Sequence, residues 1–474
     1  MATFEKSSQL VVLGGGPGGY AAAFMAADLG FEVTLVNRES NPGGVCLYRG
    51  CIPSKAFLHA AKVIHEAKEA SAFGVSFGEP QLDLDKLRGW KKSVVERLTG
   101  GLGQIARQRK VQYLHGEGKL LDAHRMAVKL ENGDEGVVRF EKLIVATGSR
   151  PVVPAMFAID SPRVMDSTGA LEMEEVPGEL LVIGGGYIGL ELGTVYASLG
   201  SAVTVVEATS GLLPGADRDL VKVLHQSLEP RMSRMLLNTR VMSLKDTGSA
   251  VRVQLQPQEG EAFEETFDRV LISIGRRPNS ESLGLEQTRI EIDGRGFIKT
   301  DAQGRTAESH IFAIGDVSGD PMLAHRATHQ GRLAAEALHG SKAVFEPVAI
   351  PAVVFTDPEL AWAGLTEQQC KDQNIRHSVA RFPWAASGRA LTLDKPAGLT
   401  KMVIDPETGA LLGVGIVGSG AGELIAEAVL ALEMGALAED VALSIHAHPT
   451  LSETVMETAD VFFGKSTHIY KPKR

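Results

Sequence analysis

Short unbroken apolar runs, each closed by glycine, recur along the chain. Leu10-Val11-Val12-Leu13, Leu181-Val182-Ile183, Leu143-Ile144-Val145-Ala146 and Val270-Leu271-Ile272 have the length and continuity of strands buried on both faces. Between them lie longer stretches of mixed polarity ending in Leu29-Gly30 and Leu199-Gly200, which predict helices with glycine just past the last turn. After Pro347 and Pro351 the pattern changes to alternating strands and one long amphipathic helix, about Gly422 to Met434. Its apolar set Leu424, Ile425, Ala428 and Leu432 predicts a core-facing stripe.

Residues 10–37 lie over 180–207 at an offset of 170. Both copies read strand, glycine loop, helix, strand: Gly14, Gly16 and Gly19 in the first, Gly184, Gly186 and Gly189 in the second. The first glycine of such a loop makes a tight turn, the second admits a pyrophosphate, and the third lets helix pack on strand, with the helix amino terminus holding the phosphate charge. One GxGxxG is a weak signal, but two in the same context imply two dinucleotides. The copies end 23 residues after their first glycine, in Asn37 and Glu207. Glu207 would accept from ribose hydroxyls and repel a 2′-phosphate, which favours NAD over NADP, whereas Asn37 offers a neutral amide. Between and beyond the copies, runs ending at Gly148, Gly275 and Gly315-Asp316 predict further strands; Asp316 offers a carboxylate at a strand end.

Composition agrees with a multidomain globular chain: 474 residues, 22% charged and 44% hydrophobic, suggest about three domains. The expected organisation is a first dinucleotide domain over 1–150, a second over 151–275, a central segment over 276–346 and a further module over 347–474. A net charge of −10 without a basic block gives no support to a nucleic-acid or anionic-membrane partner. Glu191, Glu427 and Glu433 interrupt the most apolar stretches, and Met1-Ala2-Thr3-Phe4-Glu5-Lys6 lacks a basic leader pattern, so a soluble cytoplasmic protein is expected.

Three cysteines, Cys46, Cys51 and Cys370, are too few for a disulfide framework or a four-cysteine metal site, and no metal is expected. Cys46 and Cys51 lie just beyond the first nucleotide fold, at the start of a helical run from Ile52 to Ala72. In a regular helix, residues five apart have Cα atoms roughly 8–9 Å from each other, beyond the ~7 Å that a disulfide spans. A bridge therefore needs a distorted turn, which Gly50 permits; two inert buried thiols are the alternative.

Gly43-Gly44-Val45-Cys46-Leu47-Tyr48-Arg49-Gly50-Cys51-Ile52-Pro53-Ser54-Lys55 closely resembles the redox motif of the pyridine nucleotide–disulfide oxidoreductases. His446-Ala447-His448-Pro449-Thr450-Leu451-Ser452-Glu453 resembles their His–Glu motif, in the form found in bacterial dihydrolipoyl dehydrogenases. The resemblance covers almost the whole chain. It implies an α/β fold with two Rossmann-like domains, for FAD and NAD, and a carboxyl-terminal α+β dimerisation domain. FAD would be held by Gly14, Gly16, Gly19, Asn37, Lys55 and the region of Gly118, with Asp316 on the ribitol and the Ala324 backbone near the ring. NAD would be held by Gly184, Gly186, Gly189, Glu207, Val241 and Gly275. Cys46 would face substrate, Cys51 would face flavin, and Lys55 would pair with Glu191. His448 would take the substrate thiol proton, oriented by Glu453, and would serve the partner subunit of a homodimer. The activity implied is oxidation of the dihydrolipoyl groups of 2-oxo acid dehydrogenase complexes or of the glycine cleavage carrier.

Other readings stay open on the residues alone. Glu453, three after Thr450, also fits a capping box, His446 competes with His448, and Lys55 by itself is an ordinary helix lysine. Cys370 reads as an uninvolved thiol. Tyr187 is the residue of glutathione reductases, whereas Gly189 and Glu207 oppose an NADPH-linked enzyme of that kind. A non-catalytic nucleotide-binding subunit would need neither the cysteine pair nor the His–Glu motif.

Overall fold

Two largely parallel sheets, alike in the order of four of their parallel strands, carry the two glycine loops. The computed structural model describes residues 3–470; Met1, Ala2 and residues 471–474, at the extreme ends of the expected first and last domains, lie outside them. In the first sheet the parallel order is Gln112–Leu120, Val33–Asn37, Thr3–Leu13, Glu135–Val145, Ile311–Ala313, with Arg125–Leu130 antiparallel to two of its members. The second runs Arg234–Leu236, Ala202–Val206, Glu179–Ile183, Arg269–Ile272, Val164–Met165, all parallel. The apolar runs of the sequence form the buried centre of each sheet: Leu10, Val11, Val12, Ile144, Leu181, Val182 and Leu271 are fully buried.

A five-stranded antiparallel sheet spans Ala352–Val354 to Leu411–Gly418, and the helices Ala421–Glu433 and Glu453–Phe463 pack beside it. The helix expected from Gly422 to Met434 is thus present within one residue at each end. Ile425, Ala428 and Leu432 enter its core, while Leu424 is only partly buried against it. The redox run Ile52 to Ala72 is a helix from Cys51 to Glu69 followed by a 3₁₀ turn, Ala70–Phe73.

Packing between these units places the site. Helix Ala324–Leu338 lies against helix Pro17–Asp28 at a glycine contact, where a Cβ on Gly331 would stand 2.3 Å from the Gly18 carbonyl oxygen. Phe57, Leu58 and Ala61 of the helix after the cysteines share one apolar cluster with Leu190, Leu192 and Val195 of helix Tyr187–Leu199 and with Val354, Leu360 and Val417 of the antiparallel sheet. That common core joins all three units at the cysteines.

Candidate active site

The two glycine loops superpose in their hydrogen bonds. Gly14 N donates to Val36 O and Gly184 N to Val206 O, each at 2.8 Å, and both glycines adopt positive φ, +105° and +107°. A Cβ on Gly19 would fall 1.8 Å from the Gly14 carbonyl oxygen, and one on Gly189 would fall 2.2 Å from that of Gly184, so helix and strand meet only because both lack side chains. Gly16 and Gly186 cap helices Pro17–Asp28 and Tyr187–Leu199 with no side-chain hydrogen bond and no acidic residue in the first turn. Around Gly16 a Cβ would meet nothing nearer than 3.9 Å, and around Gly186 nothing within 4 Å. Uncapped amide groups facing open space fit a pyrophosphate at each helix.

The strand-end residues hold these loops. Gly15 N donates to Asn37 Oδ1 at 2.9 Å and Gly185 N to Glu207 Oε2 at 2.8 Å. Asn37 Nδ2 also donates to Tyr113 Oη at 2.9 Å, and Glu207 Oε1 accepts from Thr209 N at 2.8 Å. Gly118 lies on the neighbouring strand, where a Cβ would press on Met126 and Leu13. Val241 has its side chain in an apolar cluster, beside a bulge between it and Ser243, so only its backbone can address a ligand. Gly275, at φ +131°, faces open space. Asp316 accepts from Ser149 Oγ at 2.5 Å, and Arg276 Nε donates to the same hydroxyl at 2.8 Å. Ala324 is the first residue of its helix.

The cysteine motif docks on the first loop. Gly43 N donates to Gly15 O at 2.7 Å, and a Cβ on Gly44 would lie 2.5 Å from Gly16 Cα. Cys46 ends up in a short helix, Gly44–Arg49, and Cys51 begins the next, so the chain breaks between them at Gly50. This is the distorted turn that a disulfide needs. The side chains of the two thiols are joined by a hydrogen bond. It pushes the Cys46 thiol up, with desolvation adding, and lowers Cys51 to about 7, with the Lys55 ammonium helping. Lys55 Nζ donates to Glu191 Oε2 at 2.7 Å, and Glu191 Oε1 accepts from Phe355 N at 2.9 Å. Tyr48 and Arg49 tether the motif: Tyr48 Oη donates to Asn41 O at 3.2 Å, and Arg49 pairs with Glu39.

The second cluster lies on the antiparallel module. His448 Nδ1 is 2.9 Å from Glu453 Oε1, and Glu453 Oε2 accepts from Thr450 N at 2.8 Å. One carboxylate therefore orients the imidazole and ties down the turn at Thr450; the helix begins at Glu453 itself after Ser452, with no side-chain cap, so the capping box expected at Thr450 does not form. Against the desolvation that raises it, the hydrogen bonds from Thr450 N and His448 hold the Glu453 carboxyl below its usual range. His446 is engaged by Glu427 at 2.7 Å, while the His448 side chain is 73% exposed. Among the described residues no hydrogen bond or ion pair joins His448 to either cysteine of its own chain. On the same module Leu430, Met434, Leu443 and Ile445 expose apolar side chains.

Residues 8–331 match the pyridine nucleotide-disulphide oxidoreductase family and residues 350–459 its dimerisation domain. The chain belongs to the pyridine nucleotide–disulphide oxidoreductases. It is 49% identical to the dihydrolipoyl dehydrogenase of Vibrio parahaemolyticus over 99% of this chain and 98% of that one. To the dihydrolipoyl dehydrogenase of Geobacillus stearothermophilus it is 44% identical, over 98% of both chains. Among solved structures it resembles LpdA of Mycobacterium tuberculosis, with a TM-score of 0.87 and 28% identity over 96% of this chain and 99% of that one. The copper(II) complex of the HOCl-induced flavoprotein disulfide reductase RclA of Escherichia coli follows, with a TM-score of 0.85 and 28% identity over 97% and 99%. The α/β fold with two nucleotide-binding domains and a carboxyl-terminal dimerisation domain is that of this enzyme family. No helix among the described residues is long and apolar enough to cross a membrane.

Sequence reading did not find Tyr113, Phe355, Ser149 or Arg276. Each acts through contacts to residues far along the chain, and no local pattern marks it.

Proposed function

We propose that this chain oxidises protein-bound dihydrolipoyl groups to lipoyl with NAD⁺ as acceptor. It serves 2-oxo acid dehydrogenase complexes or the glycine cleavage carrier, as a cytoplasmic homodimer. Residues 1–150 with 276–346 form the FAD half, 151–275 the NAD half and 347–474 the dimer module, an assignment supported by strand membership in the three large sheets. The observation that carries the reading is the docking of the Cys46–Cys51 motif on Gly15 and Gly16 of the first dinucleotide loop.

The thiol asymmetry gives the reaction its direction. A substrate thiolate attacks Cys46 of the oxidised pair, the Cys46–Cys51 bond breaks, and Cys51 departs as thiolate because the sulfur of lower pKa leaves faster. His448 of the partner subunit holds the proton taken from the substrate thiol, and Glu453 keeps its Nδ1 side occupied so that Nε2 faces substrate. The second substrate sulfur attacks the mixed disulfide, which releases lipoyl and leaves both cysteines reduced. The Lys55 ammonium, held in place by Glu191, favours the ionised Cys51. FAD, when bound, supplies two-electron transfer between the reduced cysteines and NAD⁺.

The test is a side-by-side assay of the purified dimer with dihydrolipoamide and NAD⁺ or NADP⁺, and with oxidised glutathione and NADH or NADPH. Turnover dominated by dihydrolipoamide and NAD⁺ is expected; dominance of glutathione with NADPH would overturn the reading. Purified lipoyl domains then decide which carrier is served.

A further inference from the structure

Lys401 is 1% exposed, yet carries a charge at the junction of the second nucleotide domain and the antiparallel module. Its Nζ lies 3.0 Å from Asp217 Oδ2, 3.0 Å from Asp219 Oδ2 and 2.8 Å from Glu367 Oε2. Arg381 completes the cluster, at 2.5 Å from Asp219 and 2.8 Å from Glu367. Asp217 and Asp219 flank the start of helix Arg218–Leu228; Lys401, Glu367 and Arg381 belong to the other unit. A buried ion cluster is a poor source of net stability, because desolvation offsets the attraction, but it admits few geometries.

From this cluster a chain of bonds runs to the second glycine loop. Arg218, adjacent to Asp217, donates to the carbonyl oxygens of Leu212, Leu213 and Ala216 at 2.8, 2.6 and 2.5 Å. Leu213 N donates to Gly185 O at 3.0 Å, and Gly185 N to Glu207 Oε2 at 2.8 Å. Segment 207–217 is therefore held at one end by the dinucleotide loop and at the other by Lys401.

We propose that Lys401 is a positioning residue for the pyridine nucleotide: from the dimer module it fixes segment 207–217, and through Gly185 and Glu207 it sets affinity for NAD⁺ without touching it. This rests on the reading of the second domain as the NAD site.

The test compares flavin-loaded wild-type and Lys401→Met dimers. Calorimetric titration with NAD⁺ should give a Kd about tenfold higher in the variant. The rate at which dihydrolipoamide alone bleaches the flavin should stay within about twofold of wild type, since that half-reaction does not use segment 207–217. An unchanged Kd overturns the proposal, and so does a parallel loss of both readouts, which marks general damage. If Lys401→Met yields no dimer, Asp217→Asn keeps the shape and removes one charge; a Kd rise of about threefold with normal bleaching is then required. Failure of the proposed function is separate: the wild-type flavin would not bleach with dihydrolipoamide, while NAD⁺ binding would still be read.

Discussion

Lys55 and Glu191, 136 residues apart in the chain, meet at 2.7 Å where the helix after the cysteines crosses the helix of the second glycine loop. Glu191 is buried, with its other oxygen on Phe355 N, and the Lys55 ammonium stands 4.4 Å from the Phe355 ring centroid. The pair thus links Cys51, the second nucleotide domain and the antiparallel module.

Replacing the lysine tests its hold on Cys51. With its pKa lowered to about 7, Cys51 is thiolate above that pH and becomes protonated as pH falls through it. In Lys55→Met the thiol should titrate about one unit higher, toward the ordinary ~8.5. Ultraviolet thiolate absorbance of the reduced enzyme against pH measures this, and the acid limb of dihydrolipoamide-driven flavin reduction should move upward with it. An unmoved titration would show that the hydrogen bond from Cys46 sets the pKa alone.

The His448–Glu453 contact predicts graded losses. His448→Gln removes the proton acceptor and should lower kcat by about 10²–10⁴-fold. Glu453→Gln keeps an oxygen for Thr450 N but loses the charge beside the imidazole, so a smaller loss, about tenfold, is expected with little change in thermal midpoint. Steady-state kinetics and a melting curve on the same preparations separate catalysis from the hold on the Thr450 turn.

Asn37 holds the first glycine loop through Gly15 N and is itself held by Tyr113. Asn37→Ala leaves both partners without their bonds, at a cost of about 1–3 kcal/mol. Retention of FAD during dialysis should fall accordingly, while the affinity for NAD⁺ stays at the wild-type value. Equal flavin content after dialysis would place the dinucleotide's hold elsewhere.

Gly50 tests the break between the cysteines. A Cβ there would lie 2.8 Å from the Val45 carbonyl oxygen and 3.2 Å from Cys46 Cα, both backbone atoms that cannot rotate away. Gly50→Ala should therefore push the two helices apart, cost about 1–3 kcal/mol and slow closure of the disulfide. Thiol counts during reoxidation of the reduced enzyme would follow the delay.

The glycine loops, the cysteine motif and the His–Glu motif were legible because each depends on residues close in sequence. Gly14 needs a positive φ and Gly19 needs the absence of a side chain, and both demands are met within a few residues of the same strand and helix. Even Glu453, which pattern alone left between capping and orienting, sits only five residues from His448. Tertiary structure decided what spacing could not: that Phe355 backs Glu191, that Tyr113 occupies the Asn37 amide, and that Lys401 lies inside a ring of carboxylates from two units. These partners are separated by tens to hundreds of residues, and a lysine or tyrosine on its own carries no sign of the group it will face. Local sterics is written in neighbouring letters, whereas pairing across a core follows from how helices and sheets pack once they have formed.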